Sequence, residues 1–199
     1  ETQKFGHVTY FWNGNNSAKF NEQLETWQEV TSDKLPFDQA PAMKAPQIAA
    51  ETIKALRSGA YTFLRVNFAN GDMVGHTGSL PAAVEAVKVV DTALGELIKC
   101  VDELGGTIVV TADHGNCEQM YAVDKKSGAP VQGPGGTFEP LTSHTLNPVP
   151  FIIHGPDTKR YALNAAVKEP GLGNIAATLL LLLGFAKPDD YLDALICVK

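Results

Sequence analysis

The spacing of apolar and polar positions changes several times along the chain. Runs rich in β-branched and aromatic residues at 7–12, 61–68, 107–111 and 150–154 predict strands. Between the first two, residues 45–58 carry Ile48, Ala49, Thr52, Ile53 and Leu56 at helical spacing and end at Gly59, which predicts an amphipathic helix. The clearest helix covers 81–104. Pro81 suits its first turn, and Val84, Val87, Leu94, Leu97, Ile98, Val101 and Leu104 form one buried stripe before Gly105-Gly106 stops it. A last helix over 174–184 is apolar nearly all round, which predicts packing deep in the core.

Strands alternating with helices predict an α/β fold, a three-layer α/β/α sandwich around a mostly parallel sheet. Asn13-Gly14-Asn15-Asn16 reads as a loop. The stretch 125–142 breaks the rhythm with Gly128, Pro130, Gly133, Pro134, Gly135, Gly136 and Pro140, and predicts a long surface loop. No internal repeat or linker interrupts the 199 residues, a length that supports one domain with a sizeable core.

Composition narrows the partners. A net charge of −6 with scattered Lys and Arg offers no basic face for nucleic acid. The longest apolar run, residues 175–183, is too short to span a bilayer. Cys100, Cys117 and Cys197 lie far apart, an arrangement that suits a reducing, cytoplasmic setting rather than a disulfide framework.

Five residues with metal-binding chemistry stand where strands give way to loops. Asp72 and His76 follow the 61–68 strand, Asp113 and His114 follow the 107–111 strand, and His144 precedes the 150–154 strand. In open α/β sheets ligands collect beyond the carboxyl ends of the strands, so the two Asp-His pairs can meet there. Carboxylate with imidazole suits manganese, cobalt, iron or zinc better than calcium, and two such ions suit phosphoryl chemistry. Gly71, Gly75, Gly78 and Gly115 crowd the same segments and let backbone approach closely. Cys117 reads as a small, half-buried neighbour of the ligands, and His7 and His154 read as structural.

At these motifs the chain resembles the cofactor-independent phosphoglycerate mutases of the alkaline phosphatase superfamily. The matching stretches are residues 2–9, 70–78, 111–116 and 143–150, in the family's order and over nearly the whole chain. Asp-Met-Val-Gly-His-Thr-Gly (72–78) is specific to the family, whereas Asp-His-Gly (113–115) is shared across the superfamily. Phe11-Trp12-Asn13-Gly14-Asn15 is similar to the plant and trypanosomatid branch. The resemblance implies interconversion of 3- and 2-phosphoglycerate through a phosphoserine, with two divalent ions, manganese or cobalt before zinc, in a monomeric full-length enzyme. By motif, Asp72, His76 and His144 would hold one ion, Asp113 and His114 the other, and Lys4 would reach the phosphoryl group. These roles fit the need to activate a serine hydroxyl and to neutralise phosphoryl oxygens in the transition state.

The resemblance also implies that the nucleophilic serine, a further aspartate ligand and an inserted substrate domain lie outside this chain. Residues 1–199 are then the carboxyl-terminal portion of an incomplete phosphatase-like domain, inactive alone and weak at the second ion. Two other readings stay open: a phosphatase or phosphopentomutase with the same dinuclear site, and a metal-dependent binding module without catalysis.

Overall fold

A computed structural model describes residues 1–199. Contacts divide them into two compact units, Glu1–Leu104 with His114–Val149, and Gly105–Asp113 with Pro150–Lys199.

The first unit is helical. α1 (Phe5–Val8), α2 (Ala45–Arg57), α3 (Asn70–Gly75) and α4 (Leu80–Glu103) follow in order, and α2 and α3 both pack on α4. α4 begins where Ser79, extended at the N-cap, accepts a hydrogen bond from the Ala82 N–H at 3.4 Å, with Pro81 in the first turn. It ends at Glu103, with Leu104 as its C-cap, before Gly105 at φ 67°. Ser79→Ala should lower stability by about 1 kcal/mol. An unaltered urea midpoint in that variant would show that the cap contributes nothing.

The buried face of α4 matches the expected stripe at Leu97 and Val101 and departs from it elsewhere. Ala82, Ala83, Ala86, Ala93, Leu97, Cys100 and Val101 are buried, whereas Val84, Val87 and Leu104 are exposed. Size misled the sequence reading. Helices that meet through alanine approach closely, and α2 brings Ala45, Ile48 and Ala49 as its own buried residues. Val74 of α3, fully buried, packs with Ala82 and Ala86, and Phe37 and Met43 close over them.

Two predicted strands are absent. Residues 7–12 begin inside α1 and continue as turns, because Thr9 Oγ1 and Asn13 N–H both bond back four residues, to the Phe5 and Thr9 carbonyls. Local helical bonding outweighs the β preference of the aromatic run. Residues 61–68 form no ladder, and Tyr61, Phe63 and Val66 are exposed. The expected loop at 125–142 is mostly exposed but organised. Bridges Tyr121↔Pro140, Val123↔Pro130 and Gln132↔Phe138 fold it back on itself twice.

The second unit holds the strands. β1 (Ile108–Thr111) and β2 (Phe151–His154) match two predicted runs and pair with Ile108 opposite His154. β3 (Tyr161–Leu163) and β4 (Ile196–Val198) form a second pair, with α5 (Ile175–Leu182) between them in sequence. Both sheets are two-stranded and antiparallel, so the expected mostly parallel sheet does not form within this chain. A parallel ladder needs crossover-linked neighbours, and residues 61–68, the natural candidate, have no ladder partner. α5 is also shallower than expected. Only Ala177 and Thr178 are buried, and Leu183 and Phe185 beyond its end are exposed, since two-stranded sheets are too small to cover an all-apolar helix. Thr178 ties α5 down by donating to the Asn174 carbonyl at 2.8 Å and accepting from the Leu195 N–H at 2.9 Å.

Candidate metal centre

α3 is six residues long, and Asp72 lies one turn before His76, the residue that caps it. The i,i+4 spacing puts both side chains on one face. Asn70 anchors the helix: its amide donates to the Pro41 and Ala42 carbonyls at 2.9 and 2.8 Å. Gly78, at φ 74°, turns the chain out of this segment. A side chain there would also press on Pro140 and Thr142, on the stretch leading to His144.

Three donor atoms meet beside α3. His76 Nε2 and His144 Nε2 each lie 3.0 Å from Asp72 Oδ1, and 3.1 Å from one another. His76 Nδ1 sits 2.6 Å from the Thr142 carbonyl. That carbonyl can only accept, so Nδ1 carries the proton, and a neutral His76 turns its Nε2 lone pair on a carboxylate oxygen that is also an acceptor. Protons satisfy such a triangle poorly. A divalent ion satisfies it well, because bonds of about 2.1 Å at tetrahedral to octahedral angles separate neighbouring donors by about 3.0–3.4 Å. The carbonyl behind His76 is the outer-shell partner that a metal-bound imidazole ordinarily has. The three side chains therefore fit a metal ion, and their chemistry excludes a site built of oxygens alone.

The other oxygen of Asp72 is engaged separately. Lys4 Nζ lies 2.5 Å from Oδ2, and both side chains are nearly buried, at 9% and 12% exposure. Asn116 Nδ2 donates to Oδ1 at 2.8 Å and to the Asp72 carbonyl at 3.1 Å. Burial alone would push the Asp72 carboxyl up. The Lys4 and Asn116 hydrogen bonds, with the charge of Lys4, overcome it and hold the group down at about 2.

The structure thus brings Lys4, Asp72, His76 and His144 together. His114 joins them: its ring stacks on His144 at 3.6 Å between centroids, and its Nε2 is 3.8 Å from Asp72 Oδ1. Asp113 is exposed, two residues past β1, and falls in the other unit. Cys117 is half-buried, and its thiol is pushed up by burial, then by the nearby Glu118 and Asp72 charges, so it is poorly suited to be a thiolate ligand. His7 is exposed with its ring 5.3 Å from Phe11, and His154 is the last residue of β2.

The sequence reading missed Asn116 and Glu118. Asn116 fixes Asp72 together with Lys4, and the signal lay in its place directly after Asp-His-Gly. Glu118 accepts from the Asn116 N–H at 2.5 Å, from Asn147 Nδ2 at 2.9 Å and from the Thr145 hydroxyl. Burial raises its carboxyl, but these donors, Thr145 foremost, outweigh that and leave it lowered.

A family model for the Metalloenzyme superfamily matches residues 1–187. This chain belongs to that superfamily. Among curated proteins, this Metalloenzyme-superfamily chain is 47% identical over 197 residues to a 2,3-bisphosphoglycerate-independent phosphoglycerate mutase of Trypanosoma brucei brucei. It is 48% identical over 198 residues to a probable mutase of the same kind from Arabidopsis thaliana. Each match covers 98% of this chain but only 36% and 35% of the relative. A crystal structure of Leishmania mexicana phosphoglycerate mutase at low cobalt concentration superposes with a TM-score of 0.96 at 50% identity, over 100% of this chain and 36% of that one. The superfamily chain therefore spans about a third of the length of the relatives it matches. The trypanosomatid and plant proteins among them agree with the branch suggested by residues 11–15.

Proposed function

We propose that residues 1–199 are the carboxyl-terminal, metal-binding portion of a phosphatase-like domain in a 2,3-bisphosphoglycerate-independent phosphoglycerate mutase. The full-length protein would interconvert 3- and 2-phosphoglycerate in glycolysis and gluconeogenesis through a phosphoserine, as a cytoplasmic monomer. The observation that carries this reading is the triangle of Asp72 and two histidines, in a chain that aligns along 98% of its length with mutases. No helix is long and apolar enough to cross a membrane.

In this reading Asp72, His76 and His144 hold one divalent ion, and Asp113 and His114 hold a second. Manganese or cobalt suits these donors, and zinc is tolerated. Such ions would supply a lowered hydroxyl pKa and positive charge for the phosphoryl oxygens. The residues of this chain set the stage. Thr142 holds His76 in the tautomer whose Nε2 faces inward. Lys4 neutralises Asp72 and leaves a single carboxylate oxygen facing the imidazoles, and its ammonium would reach a phosphoryl group bound at the centre. The nucleophilic serine is supplied from outside residues 1–199, and the chain alone is inactive. The full-length domain is a three-layer α/β/α sandwich with a mostly parallel sheet, in which residues 61–68 find ladder partners supplied from outside this chain.

An enolase-coupled assay of the full-length protein, without 2,3-bisphosphoglycerate, tests the reading. Turnover should vanish on chelation and return with manganese or cobalt. Turnover indifferent to chelator, or none with any metal, sinks it. The same assay on residues 1–199 alone should show no activity.

A further inference from the structure

One carboxylate outside the donor triangle holds two of its loops together. Glu118 lies between the segment bearing His114 and Asn116 and the segment bearing His144. Its Oε2 accepts from the Asn116 backbone N–H at 2.5 Å. Its Oε1 accepts from the Thr145 hydroxyl and from Asn147 Nδ2, the latter at 2.9 Å. The same two loops meet through backbone, where the Thr145 N–H donates to the Gly115 carbonyl at 2.9 Å. Gly115 leaves the room this needs, since a Cβ there would overlap both the Thr145 hydroxyl and the Glu118 carboxylate.

His144 depends on this arrangement. It is about half exposed, at 48%, and its ring contacts are the Asp72 oxygen, His76 and the face of His114. None of these is a hydrogen bond to a rigid backbone group such as Thr142 gives His76. The next residue, Thr145, is where the loop is fixed. Asn116, at the other end of the Glu118 carboxylate, holds the Asp72 oxygen that faces the imidazoles. A single carboxylate is thus linked to two of the three donors, one through each oxygen.

We infer that Glu118 is a positioning residue for the metal centre: it sets the distance between His144 and Asp72 by clamping the Thr145 loop to the Asn116 turn, without touching the ion itself. The inference rests on the metal-site reading above but not on the identity of the substrate. Outer-shell partners of metal ligands typically change affinity by about 10–100-fold when removed, and Glu118 belongs in that range.

The test is cobalt(II) titration of the full-length protein, read by its visible ligand-field absorption, together with thermal melting and mutase turnover on the same samples. Glu118→Ala should weaken cobalt binding by about 10–100-fold and alter the absorption band. Thr145→Val, which removes one donor to the carboxylate and keeps the side chain's shape, should shift affinity in the same direction. Glu118→Gln, which keeps one acceptor oxygen, should recover part of the loss. If Glu118→Ala fails to fold, the Thr145→Val titration decides alone. Wild-type cobalt affinity and spectrum in the folded variants, with only a lowered melting temperature, would reduce Glu118 to ordinary scaffolding and overturn the inference. A wild-type protein that turns over no phosphoglycerate, while its variants still lose cobalt affinity, would remove the mutase reading and leave this one standing.

Discussion

Asp72→Ala should abolish tight metal binding and also destabilise the protein without metal. The carboxylate is the one donor shared by both imidazoles, so its loss leaves two histidines, and affinity for manganese or cobalt should fall by more than about 100-fold. The second effect comes from Lys4. Its side chain is 9% exposed and loses the carboxylate it pairs with, and removing one member of a buried pair costs about 3–5 kcal/mol. Asp72→Asn keeps the shape and still leaves the cation uncompensated, so it should be destabilised in the same sense. Calorimetric titration with manganese and urea unfolding in chelator measure the two effects separately. A variant with wild-type affinity would remove Asp72 from the metal centre. One with wild-type stability would show that Lys4 finds other compensation.

Gly75→Ala should also destabilise, against the usual expectation. Alanine normally gains about 1 kcal/mol over glycine inside a helix. Here the new methyl would fall inside contact distance of the Asn116 side-chain amide, in a buried position. The amide cannot swing aside without releasing Asp72, to which it donates twice. Overpacking of this kind costs about 1–3 kcal/mol, so the clash outweighs the helix gain. The variant should melt earlier and bind cobalt more weakly. A higher melting temperature with unchanged affinity would mean that Asn116 is free to move and does not fix the carboxylate.

Much of the candidate site was legible in the sequence, because it depends on residue types with narrow chemistry. Asp72, His76 and His144 were picked out as carboxylate and imidazole at the ends of predicted strands, and the folded chain brings their donor atoms within 4.8 Å. The short helix that carries two of them was not read, although Asp72 and His76 stand four apart, because six residues are too few to show a period. Asn116 and Glu118 were missed for a different reason: a polar residue in a turn gives no local sign of which distant group it will bond.

The fold was legible where a pattern is local and long. The helices over 45–58 and 81–104 needed only their own spacing and caps. Strand formation depends on a neighbour, so residues 61–68 have the composition of a strand and no ladder. Leu97 and Val101 on the buried face of α4 were read correctly, but its alanines were passed over because hydrophobicity ranks valine above alanine, whereas close helix packing selects for small size.

That alanine face has a consequence for how the centre tolerates change. Val74 lies between the two α3 donors in sequence and rests on Ala82 and Ala86, so those methyl groups act as a shim beneath the helix that carries Asp72 and His76. Thickening the shim by one or two carbons would lift both donors together away from His144, which arrives on a separate loop. Tolerance at the centre is therefore graded by thickness more than by polarity. Residues that share no chemistry with a metal ion can set whether one fits.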